Sequence, residues 1–231
     1  MIRSAFQSLS HLFFPHICTG CGSDIINTEQ LLCFSCIDRL PITDFHRHAD
    51  NPVEKVFWGR IPVSQATSYI YFSKDSLIQQ LLHEFKYKGN TDIGLYFGRK
   101  MGESLVQSGR FPLMDGLVPL PLHTGKERKR GYNQAKILCD GMAEVLKVPI
   151  LDKAIMRTRK TETQTHKSRV ERWMNMEGKF RIEDPALLEN RNILLVDDVI
   201  TTGATLEACG YELMRAKGLL LSIATLAYTS V

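Results

Sequence analysis

The sequence predicts an α/β protein built on a doubly wound, mainly parallel sheet and preceded by a small cysteine-rich unit. Three observations predict it. Strand-like runs alternate with helical patterns from residue 63 onward. An apolar run at 193–196 leads into two acids and a Thr-Thr-Gly turn that opens a helix. The first forty residues hold four cysteines in two C-x2-C pairs. The 231 residues are 44% hydrophobic and 23% charged, enough apolar material for a real core, which excludes a disordered chain or a fibrous repeat. No apolar stretch reaches the ~18 residues of a membrane span, and the best, 219–228, is interrupted by Ser222 and Thr225. The expected organisation is an N-terminal helix, cysteine unit and linker over residues 1–60, followed by a sheet domain over 61–231.

The elements follow in order. Ile2, Phe6, Leu9 and Phe13 recur at helical spacing, while Ser8, Ser10 and His11 break the apolar run that a signal peptide needs. This predicts an amphipathic helix and a cytoplasmic protein. Cys18, Cys21, Cys33 and Cys36 come next, eleven residues separating the two pairs. Two residues between cysteines let a tight turn point both sulfurs at one tetrahedral ion, and two such knuckles close a structural Zn2+ site. Gly20 and Gly22 lie where the first knuckle must turn. Two disulfides would suit an oxidising compartment better, and a redox pair would need only one C-x2-C. Cys139 and Cys209 fall in helical patterns and read as small buried hydrophobes.

Residues 41–62 have no sustained period and read as a linker or as the last part of the cysteine ribbon, with His46 and His48 at its surface. Residues 66–72 (ATSYIYF) are aromatic and β-branched, as a strand would be. Leu77, Ile78, Leu81, Leu82 and Phe85 trace one helical face that stops near Gly89. A second helix is expected around 92–107, a short apolar run at 116–122, and a third helix at 133–147. The strand at 192–196, a helix at 204–217 stopped by Gly218, and a last strand at 219–228 complete the chain.

Charge is unevenly spread. Residues 122–181 carry an excess of Lys and Arg, and the remainder a mild acidic excess. An anionic partner, either phosphate groups or nucleic acid, would explain this, and so would a solvated face. Residues 157–169 (RTRKTETQTHKSR) contain no apolar side chain. A run of that length with nothing to anchor it reads as a functional mobile loop or an insertion.

The densest local signal is NILLVDDVITTGAT at 192–205. Ligands of open α/β sheets bind beyond the carboxyl ends of strands, and helix N-termini present free N–H groups to phosphate. Gly203 lets backbone come close, and the threonine hydroxyls add donors. Asp197 and Asp198 would repel a phosphate, so they suit sugar hydroxyls or a metal. Together they predict a sugar-phosphate site.

VDDVITTGAT resembles the phosphoribosyl pyrophosphate (PRPP) signature of type I phosphoribosyltransferases. With FFPHICTGCG and its second C-x2-C, HEFKYKG at 83–89, VPLPLHTGKERKRGYNQA at 118–135, and Arg172 and Asn175 beyond the basic loop, essentially the whole chain resembles the ComF family. Members are associated with DNA uptake in natural competence, and GntX-like relatives share the layout. The resemblance implies that Asp197 and Asp198 hold the ribose hydroxyls and that Thr201, Thr202, Gly203, Ala204 and Thr205 hold the 5′-phosphate. It implies that Arg128 and Arg130, in an element completed by Gly131, Tyr132, Asn133 and Gln134, serve the pyrophosphate. Thr163 and Gln164 would sit at the centre of a catalytic loop, and Mg2+ would accompany PRPP. The resemblance leaves two functions open: a PRPP-binding factor that handles single-stranded DNA beside a helicase-like partner, or a transferase displacing pyrophosphate at ribose C1. The zinc ribbon would serve as a platform for nucleic acid or protein, or as a staple.

Overall fold

The computed structural model describes residues 16–27, 29–158 and 178–229. In chain order its elements are α1 (Phe34–Asp38), α2 (Pro52–Phe57), β1 (Ala66–Tyr71), α3 (Leu77–Tyr87), α4 (Thr91–Ser108), β2 (Gly116–Pro119), α5 (Thr124–Arg130), α6 (Gln134–Leu146), β3 (Ile155–Arg157), β4 (Phe180–Ile182), β5 (Asn192–Ile200), α7 (Ala204–Leu213) and β6 (Leu220–Tyr228). Four strands form one sheet in the order β1-β6-β5-β2, every pair parallel. β3 and β4 form a separate antiparallel pair. The doubly wound parallel sheet is the predicted one.

Each face of the sheet carries its own apolar cluster. One joins Leu194, Val196 and Leu226 to α3, α4 and α6 through Ile78, Phe85, Phe97, Leu138 and Met142. Leu32, Leu40, Cys18 and Cys36 of the cysteine unit belong to this cluster, so that unit is seated on α3 and α4. α4 and α6 meet backbone to backbone: a Cβ on Gly98 would lie 2.3 Å from the Leu138 carbonyl, and one on Gly141 2.4 Å from that of Leu95. The opposite cluster joins Ile193, Leu195 and Ile223 to α7 and the β3–β4 pair through Leu206, Cys209, Leu213, Ile155 and Phe180. Cys139 and Cys209 are both fully buried, as expected of small hydrophobes.

Residues 41–62 differ from the expected linker. Phe45, Val53, Phe57 and Ile61 are buried in the second cluster. Asn51 caps α2 through Oδ1, which accepts from the amides of Val53 and Glu54, while its Nδ2 donates to the Ala66 carbonyl at 2.9 Å. His46 is buried and only His48 is exposed. The segment lacks a period because it is made of short turns whose few apolar residues each find the sheet separately.

Three other expectations change. β5 does not stop at Val196: pairing with β6 continues through Asp197↔Thr225 and Val199↔Ala227 to Ile200↔Tyr228. Val199 and Ile200 are β-branched and keep the ladder going past the acids. A helix also forms at Thr124–Arg130, a polar run with no apolar stripe to betray it; His123 caps it by accepting from the Gly125 amide. The helix expected at 204–217 ends at Leu213 and reaches Gly218 through turns. Among the described residues no helix is long and apolar enough to cross a membrane.

Candidate functional site

β2 and β5 are neighbours in the sheet, and the Leu120 amide donates to the Val196 carbonyl at 2.8 Å just where β2 ends. The run after β2 therefore leaves the sheet beside Asp197 and Asp198. Side chains alternate along a strand, so the two carboxylates turn to opposite faces. Asp198 meets Lys86 of α3, Oδ2 to Nζ 2.9 Å, both side chains largely withdrawn from solvent. Asp197 accepts from the Asp198 amide at 2.8 Å. Burial, and then the neighbouring Asp198 charge, push the Asp197 carboxyl up to about 8, against the pull of that amide, Lys86 and Arg157. A buried carboxyl crowded by a second acid suits sugar hydroxyls or a metal-bearing ligand.

Beyond Ile200 the chain turns through Thr201 and Thr202, both exposed, and Gly203 caps α7 with φ at +70° and no side chain closing the helix end. Ala204 and Thr205 are exposed as well. The first-turn N–H groups of a ten-residue helix thus open to solvent, an arrangement that suits an oxyanion. The loop rests on α2, since a Cβ on Gly203 would fall 2.5 Å from Val56 Cγ1 and 3.3 Å from Phe57 Cε1. Arg60 ties the two together, donating to the carbonyls of Val56 and Thr202 and pairing with Glu207.

The basic element after β2 packs on α3. The Arg130 guanidinium lies 5.3 Å from the Tyr87 ring centroid and donates to Gln134 Oε1 at 2.6 Å. Tyr132 Oη donates to the Phe85 carbonyl, and Asn133 both caps α6 and donates to the Leu120 carbonyl at 3.0 Å. Arg130 is thus held against Tyr87, the residue after Lys86 on α3, while Arg128 is exposed on α5. Thr163 and Gln164 lie outside the described residues. Lys86, Arg60 and Arg157 received no site role from the sequence. Lys86 stands within the HEFKYKG motif and was available as a signal; Arg60 is a single arginine in a segment with no phosphate motif, and Arg157 opens the basic run at 157–169.

In the N-terminal unit, the sulfurs of Cys18, Cys21, Cys33 and Cys36 all lie within 4.8 Å of one another as free thiols. Cys21 and Cys33 are 3.7 Å apart, far beyond a disulfide bond and close to the edge of about 3.8 Å that four sulfurs at 2.3 Å from one ion would span. Burial raises the Cys18 thiol, but amide donors from Cys33, Cys21 and Gly20 outweigh it and hold the group down at about 6. Cys36 is pushed up to about 12 by burial, with Arg39 opposing through a 3.4 Å contact to its sulfur. Four crowded sulfurs of which one ionises readily and another resists are what a dication reconciles. The donor set fits a tetrahedral thiophilic metal such as zinc.

Comparison with known proteins agrees with this geometry. A family model described as Phosphoribosyl transferase domain matches residues 129–230. DNA utilization protein YhgH of Escherichia coli O157:H7 is 30% identical over 203 residues, covering 86% of this chain and 84% of that protein. Competence protein F of Haemophilus influenzae is 28% identical over 209 residues, 89% of this chain and 80% of that one. Competence protein ComFC of Bacillus subtilis is 31% identical over 136 residues, covering 58% and 52%. With the four-cysteine cluster ahead of a parallel sheet, this chain belongs to the ComF family, whose members join such a cluster to a type I phosphoribosyltransferase domain.

Proposed function

We propose that the protein binds PRPP together with Mg2+ and supports DNA uptake in natural competence by handling single-stranded DNA in the cytoplasm, beside a helicase-like partner. The observation that carries PRPP binding is the meeting of three features at one strand end. These are the acid pair Asp197 and Asp198, the open loop from Thr201 to Thr205, and the Lys86 ammonium paired with Asp198. The acids accept from the ribose hydroxyls, and the loop amides with the hydroxyls of Thr201, Thr202 and Thr205 receive the 5′-phosphate. Arg128 and Arg130 face the pyrophosphate. Mg2+ fits beside the acid pair Asp197 and Asp198, and when bound it neutralises charge on the pyrophosphate. Zn2+ is held by Cys18, Cys21, Cys33 and Cys36 and staples the N-terminal unit, consistent with its seat in the core. The names of the curated relatives, a DNA utilization protein and two competence proteins, support the DNA role.

A second reading rests on the same acid pair and loop: a Mg2+-dependent phosphoribosyltransferase that passes ribose 5-phosphate from PRPP to an acceptor. The acids would then steady the ribose as charge develops at C1, and Thr163 and Gln164 would belong to a loop that excludes water. Calorimetry with PRPP and Mg2+ tests binding, and pyrophosphate release with and without single-stranded DNA separates the two readings. Absence of PRPP binding refutes both.

A further inference from the structure

We infer that Arg60, supplied by the segment ahead of the sheet, is a positioning residue for the phosphate loop that acts by cancelling the charge of Glu207. The inference rests on the phosphate site proposed above. Glu207 is the fourth residue of α7, and its amide donates to the Gly203 carbonyl at 2.8 Å, closing the first helical turn directly over the loop. A carboxylate in the first turn favours the helix, since it faces the positive end of the dipole. For an incoming phosphate the same carboxylate is a competitor, because it occupies the field that would attract the ligand and repels it as a like charge.

The structure answers this conflict with one guanidinium. Arg60 pairs with Glu207 through Nη2, and its Nη1 donates to the Thr202 carbonyl at 2.8 Å and the Val56 carbonyl at 3.0 Å. The Glu207 side chain is only 12% exposed and that of Arg60 33%, so solvent screens the pair less than a surface ion pair. The planar fork reaches three acceptors on two elements, which a lysine ammonium would not span in the same way. Arg60 lies outside residues 129–230, the span matched by the phosphoribosyl transferase family model. The loop's charge balance is therefore completed by the preceding segment.

The experiment compares the unmutated protein, Arg60→Met, Glu207→Gln and the double variant by calorimetry. Ribose 5-phosphate serves as the probe of the loop, and pyrophosphate with Mg2+ as the probe of the other subsite. Arg60→Met should weaken ribose 5-phosphate by about tenfold, as expected for a charge left without its partner, and leave pyrophosphate unchanged. Adding Glu207→Gln should recover most of that loss, and Glu207→Gln alone should bind as tightly as the unmutated protein or tighter. Should Arg60→Met fail to fold, Arg60→Lys keeps the charge and loses the fork, for an expected loss of about threefold. Unchanged ribose 5-phosphate affinity in the Arg60 variants overturns the inference. So does a double variant as weak as Arg60→Met, or an equal loss of pyrophosphate binding. If the unmutated protein binds pyrophosphate but not ribose 5-phosphate, the phosphate-site reading itself falls and carries this one with it.

Discussion

Substituting alanine for Gly203 tests whether the phosphate loop is shaped by the segment beneath it. The residue sits at φ +70°. An L side chain there costs about 1–2 kcal/mol, because its Cβ crowds the following carbonyl. The new methyl would also stand 2.5 Å from Val56 Cγ1 and 3.3 Å from Phe57 Cε1, so α2 or the loop must yield. Overpacking of this kind adds about 1–3 kcal/mol. Together the loss is about 2–5 kcal/mol, a fall in melting temperature of about 5–15 °C for a chain of this size. Since the loop is the more exposed side of the contact, it gives way first, and ribose 5-phosphate affinity should fall with stability. Gly98→Ala is the comparison. It forces α4 from α6 by meeting the Leu138 carbonyl at 2.3 Å, far from the loop, so it should destabilise at least as much while folded protein keeps its affinity. Urea unfolding and calorimetry on both variants decide the matter. A Gly203→Ala protein that melts within a degree of the parent and binds with the same affinity would refute the reasoning.

Further outcomes follow from the two charged clusters and the basic stretch. Elemental analysis should find one zinc per chain; Cys18→Ser or Cys36→Ser should release it and loosen the N-terminal unit before the sheet, and a metal-free protein with that unit intact contradicts the assignment. Asp197 holds its proton more tightly folded than unfolded, from 3.8 to about 8, so its stabilising contribution is complete below pH 3.8 and is lost as pH rises through about 8. In ligand-free protein, Asp197→Asn should therefore gain on the parent steadily from pH 5 to 8 in urea unfolding and level off above; parallel pH curves would exclude the shift. If the basic stretch contacts a single-stranded backbone, neutralising the exposed Lys129, Lys147 and Lys153 should make the log–log salt slope shallower by about 2, at ~0.7 per contact. An unchanged slope removes that surface from DNA binding. Arg157 is unsuitable for this measurement, because its charge acts on Asp197 and its guanidinium lies over Phe180.

Much of the site was legible wherever chemistry is written in consecutive residues. The two C-x2-C pairs place their sulfurs by local turns, and the strand–acid–Thr-Thr-Gly run carries loop and helix start together. α3, α4 and α6 were legible because one face of each is buried and the apolar period says so, and β1 because its residues are aromatic and β-branched. α5 was not, since TGKERKR has no apolar stripe and its start depends on the His123 cap. The far end of β5 was hidden for a different reason: two adjacent acids read as a break, whereas pairing to β6 on one side carries the strand past them to Ile200.

What the sequence determined by itself is the plan: an α/β sheet, a four-sulfur cluster, an acid pair, and a glycine loop at a helix start. These are set by periods and short spacings, which depend only on neighbouring residues. Which distant residues complete each centre was decided by tertiary structure. Lys86 comes to Asp198 across more than one hundred residues because α3 lies over the end of β5. Arg60 comes to Thr202 and Glu207 because a segment without periodicity folds under the loop. His46 is buried by the same packing. A lone charged residue carries no local mark of its partner, since the partner is chosen by how whole elements stack and by what burial then demands of each charge.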